Sequence, residues 1–233
     1  MKNLKSLILF LFIISVFSCS SENEEKLHNE EIEISFTVNK DVYLLTDYGE
    51  PPQIAVWLEY TDSLFYKSIW VTRRTGKNKW KGKVNCPVSL PYWNSRKGNE
   101  KEPGFIQKVV DAVSGATVAE GEIKKKFSIV KNDNLSIFIE VNVSGDYNNH
   151  FKYWSENNVP DTEGNGQPSI IYSAKLDFKN SVVLEPVLTG RTEQFFATDS
   201  LNADLSEITT AKDLIKNLKV RQIKKDLINK PSI

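Results

Sequence analysis

The chain has 233 residues, 30 basic and 30 acidic side chains, 40% apolar residues and two cysteines. The balanced charge gives no electrostatic footprint for nucleic acid. With one cysteine in the N-terminal leader, Cys86 has no intramolecular partner, so the fold must stand on its core without a disulfide.

In chain order, Lys2 and Lys5 precede an apolar run from Leu7 to Phe17, and Ser18-Cys19 follows directly. This is the layout of a secretory signal ending in a lipobox, with cleavage before Cys19 and acylation (palmitate and diacylglycerol) on it. The apolar run is about ten residues, short of the roughly 20 that span a bilayer as a helix. Several acyl chains on one cysteine make attachment stable where a single chain would not. The expected organisation is a signal peptide at 1–18, a lipidated acidic tether at 19–30, one domain at 31–229 and a tail at 230–233. Ser20, in place of aspartate, argues against inner-membrane retention. Glu22, Glu24 and Glu25 resemble a lipoprotein surface-export signal, although a disordered solvated tether has the same composition. The expected location is the outer membrane, on its periplasmic or cell-surface face.

After the tether, Ile32, Ile34, Phe36 and Val38 alternate with Glu31, Glu33, Ser35 and Thr37, the period-two pattern of a strand with one buried face. Strands are also expected at 54–60, 65–72, 127–131, 135–143, 169–178 and 182–188, which are β-branched or aromatic runs bounded by Asn, Asp, Gly and Pro. Short strands without alternating helices predict a mainly β protein, a single antiparallel β-sandwich of immunoglobulin-like or jelly-roll-like type. From Glu207, the spacing of Ile208, Ala211, Leu214, Ile215 and Leu218 predicts a short C-terminal helix to about Asn217, with the residues beyond open to strand. The stretch 75–104 is too long for a simple connection, and Trp80, Tyr92 and Trp93 within it favour an ordered loop.

Catalytic signatures are missing. There is no Gly-x-Ser-x-Gly elbow, His150 is the one histidine outside the tether, and no spacing singles out a carboxylate pair, so no catalytic residue is assigned. Asp161-x-Glu163-x-Asn165-Gly166 looks like half a calcium loop, but Tyr172 stands where the bidentate glutamate is required; a plain Gly/Asn-rich loop explains it better. Asp146 and His150 lie four apart in a turn-like segment, a poor basis for a metal site. By alternation, Trp57 and Trp70 belong to the core. Trp80, Trp93 and Trp154 lie in loops, where they would either contact a ligand or anchor the loop.

The most specific string is Asp111-Ala112-Val113-Ser114-Gly115-Ala116-Thr117. It resembles the motif at which bacterial flavin transferases attach FMN through a phosphoester to the last threonine. The resemblance implies FMN on Thr117, with Asp111, Ser114, Gly115 and Ala116 forming the recognised turn, and a flavin transferase and membrane electron-transfer proteins as partners. Downstream, Val118-Ala119-Glu120-Gly121 departs from the threonine or serine usual there. A structural turn with Asp111 and Ser114 bonded to local backbone would also produce the string.

A second resemblance covers most of the mature chain. Pro51 to Glu59, Ile69 to Arg73, Leu90 to Trp93, Asp111 to Thr117, Glu140 to Asn148 and Gly166 to Tyr172 occur in an order similar to that of the domain of unknown function 2271 family. This implies an extracytoplasmic location, a β-rich domain, no established activity and, for some members, neighbouring flavin-transfer and electron-transfer genes. Two functions are therefore expected: a non-catalytic FMN carrier, or a cofactor-free binding or scaffold lipoprotein recognising a glycan, peptide or partner protein.

Overall fold

The computed structural model describes residues 29–60, 66–77, 86, 89–97, 114–115, 119–130, 134–179 and 182–223. The leader with Cys19, and Trp80, Asp111, Ala116 and Thr117, lie outside the described residues.

Among the described residues, ten strands form two packed sheets. They are β1 (Asn29–Val38), β2 (Gln53–Tyr60), β3 (Tyr66–Thr72), β4 (Ser114–Gly115), β5 (Gly121–Val130), β6 (Leu135–Asn142), β7 (Ile170–Lys175), β8 (Val183–Leu184), β9 (Val187–Arg191) and β10 (Ile215–Ile223). The smaller sheet has the order β5-β1-β10-β8 and the larger the order β4-β3-β2-β6-β7-β9. Every pairing is antiparallel except β3 with β4. The β-sandwich expected from the sequence is the observed fold.

The alternation in β1 places Ile32, Ile34, Phe36 and Val38 in the space between the sheets. There they join Ile54, Val56 and Leu58 of β2 and Ile137, Ile139 and Val141 of β6. Phe36 meets Trp70 of the opposite sheet at 6.3 Å between ring centroids. Each such side chain contributes roughly 1.5–3 kcal/mol through burial, which is how the fold stands without a disulfide. On the other face of β1, Glu33 is flanked by Lys124 at 3.3 Å and Lys126 at 3.9 Å across the strand pair.

The larger sheet is covered on its second face as well. Ala55, Trp57 and Val71 form a separate apolar cluster with Leu90, Tyr92, Trp93 and Ile171. This explains why β2 is buried from Gln53 to Leu58 instead of alternating. The cover is the short helix Pro91–Lys97, so this part of the 75–104 stretch is ordered by its aromatics.

Three elements differ most from the expected ones, while β7, expected at 169–178, ends at Lys175. β5 begins at Gly121, six residues before the predicted strand, because Lys125 occupies an inward register position opposite Ile34 and hides the alternation. An edge strand accommodates a long lysine whose charged end reaches water. The expected 182–188 strand is two strands in two sheets, divided at Glu185-Pro186, where proline has no N–H for a ladder. The expected helix to Asn217 contracts to one 3₁₀ turn, Thr210–Asp213, and β10 follows at once. Ile208, Ala211, Leu214 and Ile215 are all buried, as the pattern demanded, but by a turn running into a strand. Asn217, with φ of 56°, sits in the bulge where β10 carries one more residue than β1 between Lys216 and Lys219.

Candidate functional site

Among the described residues, the centre of the Asp111 to Thr117 string forms the outermost strand of the larger sheet. Ser114 and Gly115 pair in parallel with Val71 and Thr72, so β4 lies beyond β3 at the sheet edge. The adjoining end of β3 is firmly held. Thr72 Oγ1 donates to Gln53 Oε1 at 2.8 Å and accepts the Ile54 N–H at 3.1 Å. Thr75 Oγ1 donates to the same Gln53 oxygen at 3.0 Å, and Arg74 pairs with Glu50 at 3.1 Å. Asp111, Ala116 and Thr117, which complete the string, are outside the described residues, so the structure brings together Ser114 and Gly115 with β3.

In the interior of the larger sheet, on β6 and two strands beyond β3, lies a fully buried carboxyl. Glu140 of β6 points away from the main core, into the second cluster, where it accepts the backbone N–H groups of Tyr92 at 3.2 Å and Trp93 at 2.6 Å. Ser169 Oγ donates to it at 2.5 Å and shares a second bond of 2.7 Å with Thr192. The first turn of a helix has N–H groups without intrahelical partners, and Glu140 takes two of them just after Pro91. Burial raises its pKa to about 7, against the opposing effect of the Ser169, Trp93 and Tyr92 hydrogen bonds. Its role is to pin the covering helix to the sheet.

Trp93 takes the second of the two roles open to it. It is 2% exposed, and its indole N–H donates to Ser68 Oγ at 2.9 Å, so it anchors the covering segment and does not face a ligand. Trp154 is the opposite case, 56% exposed. It lines a cleft of about 410 Å³ whose walls are residues 149–157 and 193–196.

Hydrogen bonds fix both walls of this cleft. Asn148 Oδ1 accepts the N–H groups of His150 and Phe151 at 2.9 and 2.7 Å, while its amide nitrogen donates to the Glu207 carbonyl at 3.0 Å. Gln194 joins the walls by donating to the Lys152 carbonyl at 2.8 Å and to Asp161 Oδ2 at 3.2 Å. Phe195 and Phe196, which follow, are exposed. Sequence reasoning missed them, although two adjacent aromatics in a polar stretch cannot both enter a core from an extended chain.

The calcium-like loop lies behind this cleft and is committed to protein donors. Asp161 Oδ2 accepts the Gly166 N–H at 2.8 Å, and Asn165 Oδ1 accepts from Asn142 at 2.7 Å. Asp146 accepts from Gln167 at 2.7 Å and Thr210 at 2.6 Å, and burial raises its pKa. His150 instead approaches Glu207 at 4.0 Å. These groups tie loops together. Among the described residues no cluster of three or more His, Cys, Asp or Glu side chains is arranged to hold a metal ion.

A family model described as "Predicted periplasmic protein (DUF2271)" matches residues 32–152. No curated protein and no solved structure matches the chain.

Proposed function

The chain belongs to the DUF2271 family of predicted periplasmic proteins, and we propose that it works outside the cytoplasm as a lipid-anchored carrier of covalently bound FMN. The observation that carries this reading is the Asp111 to Thr117 string, whose Ser114-Gly115 centre is the outermost strand of the larger sheet. A modifying enzyme must reach the acceptor hydroxyl, and an edge strand two residues before Thr117 suits that better than a central one. The small side chains of Gly115 and Ala116 suit close approach by a transferase.

In this reading Thr117 holds the flavin through its Oγ and the rest of the string is what the transferase recognises. The flavin supplies electron transfer, while the protein supplies attachment and position. β3, locked by Gln53, Thr72 and Thr75, gives the attachment strand a rigid neighbour. The lipid on Cys19 keeps the carrier beside membrane electron-transfer partners. Only the nine residues Ser20 to His28 separate Cys19 from the start of β1 at Asn29, so the anchor holds the domain close to the bilayer.

The test is co-expression with a bacterial flavin transferase, followed by intact-protein mass and visible absorption. The mature protein should gain one FMN and turn yellow, and Thr117→Ala should gain none. An unmodified wild-type protein would overturn the carrier reading, whereas a flavinylated Thr117→Ala would overturn the assignment to Thr117.

A further inference from the structure

We propose that the cleft between residues 149–157 and 193–196 binds a neutral carbohydrate, with Trp154 as its stacking platform. The cleft is separate from the flavin-attachment string. Its second wall follows β9, and β9 and β4 are the two opposite edges of the larger sheet. At the usual strand spacing this separates the two edges by roughly 24 Å. Most of the lining also falls outside the residues 32–152 that define the family, so the family description does not account for it.

The chemistry is that of a sugar site. Trp154 and Phe196 are 56% and 61% exposed, an unfavourable placement for large aromatics that nothing in the core requires. The Trp154 ring is oriented in advance. It sits edge-to-face with Tyr153 at 5.4 Å, Tyr153 sits edge-on to Tyr147 at 5.9 Å, and the Trp154 backbone bridges to Pro160. Such a fixed ring can meet the apolar C–H face of a pyranose at little entropic cost. Around it stand the amides of Asn149 and Asn157 and the carboxylate of Glu156, donors and acceptors suited to ring hydroxyls.

Charge and size choose among ligands. Among the charged lining residues Lys152 stands against Glu156 and Glu193, so the lining has no basic cluster with which to hold an anionic polymer or a phosphate. The volume of about 410 Å³ falls within the range of ordinary small-ligand sites, roughly 300–1,000 Å³. A stable protein partner would need about 800 Å² of contact on this side, and the exposed aromatics are gathered into a cleft instead.

The test is titration of the mature protein with neutral gluco-, manno-, xylo- and galacto-oligosaccharides, read by tryptophan emission and calorimetry. One of these should bind saturably and shift the emission. Trp154→Ala should weaken it at least tenfold with an unchanged melting temperature. Phe196→Ala should weaken it less. Binding of none of them, binding that Trp154→Ala leaves intact, or binding only of a uronic-acid oligosaccharide included as a control would overturn the proposal. The flavin content of each variant, measured separately, is expected to stay at the wild-type level, so this result and that for Thr117 fail independently.

Discussion

The backbone N–H of Trp93 donates to Glu140 Oε2 at 2.6 Å across the outer face of the larger sheet, and this bond joins the 75–104 segment to β6. The carboxyl that receives it is fully buried, with a pKa raised to about 7. In the unfolded chain the same group would titrate near its ordinary value of 4.5.

The sign of the linkage follows. Between about pH 4.5 and 7 the native state holds a proton that the unfolded state has lost, so stability falls as pH rises through that window. The full difference is about 3 kcal/mol, lost by the time the pH passes the folded-state value. Glu140→Gln keeps the size of the side chain and removes the titration. Urea unfolding at pH 4.5 and pH 8 should show the wild type weakening relative to Glu140→Gln by about that amount. Parallel profiles for the two proteins would contradict a raised Glu140 pKa.

Glu140 also shows where sequence reasoning stops. In β6 it alternates with Ile139 and Val141, and such a position reads as solvent-facing unless something covers it. Phe138, stacked on Trp57 at 5.4 Å, lies on the same outward face and was the available sign of a cover. The period-two pattern of β1 was legible because its two faces meet different surroundings. β5 and the C-terminal segment were less so: one inward lysine masked the first half of a strand, and a 3₁₀ turn followed by a bulged strand mimicked helical spacing. Trp93 and Trp154 are equivalent from local sequence, and a partner 25 residues away, Ser68, decides that one of them is core.

Gly166 is required by backbone geometry. Its φ is +74°, and a Cβ at this position would lie 2.6 Å from the backbone nitrogen of Asp146. The obstacle is main chain, itself held by the Gln167 N–H to Asp146 carbonyl bond of 2.8 Å, so relief requires moving two loops. Gly166→Ala should destabilise the protein by more than about 2 kcal/mol, combining left-handed strain with a steric clash. Chemical denaturation would measure this, and a loss under about 0.5 kcal/mol would contradict the close approach.

Cys19 tests the membrane part of the proposal. Cys19→Ser should leave the precursor unacylated and shift the protein from the membrane fraction to the soluble one, with the fold of residues 29–223 unaffected. Fractionation together with mass analysis of the N-terminus would show it. Membrane retention of the variant at the wild-type level would refute attachment through this residue.

Gln194 isolates the stiffness of the cleft from its contact surface. Its amide nitrogen serves both the Lys152 carbonyl and Asp161 Oδ2, whereas its backbone carbonyl receives Asn165 at 3.1 Å and would survive substitution. Gln194→Ala therefore removes one donor from each of two acceptors without disturbing the Asn165 bond. Leaving buried acceptors short of a donor costs about 1–3 kcal/mol, so a lower melting temperature is expected. Because the same amide joins the 149–157 wall to the 193–196 wall, the variant should also show faster amide exchange at Lys152 to Trp154 than the wild type. Trp154→Ala, which removes an exposed ring and no wall-to-wall bond, should leave both quantities near wild type. If the two variants lowered stability equally, Trp154 would be a packing residue, and the separation between a rigid frame and an exposed aromatic platform would be lost.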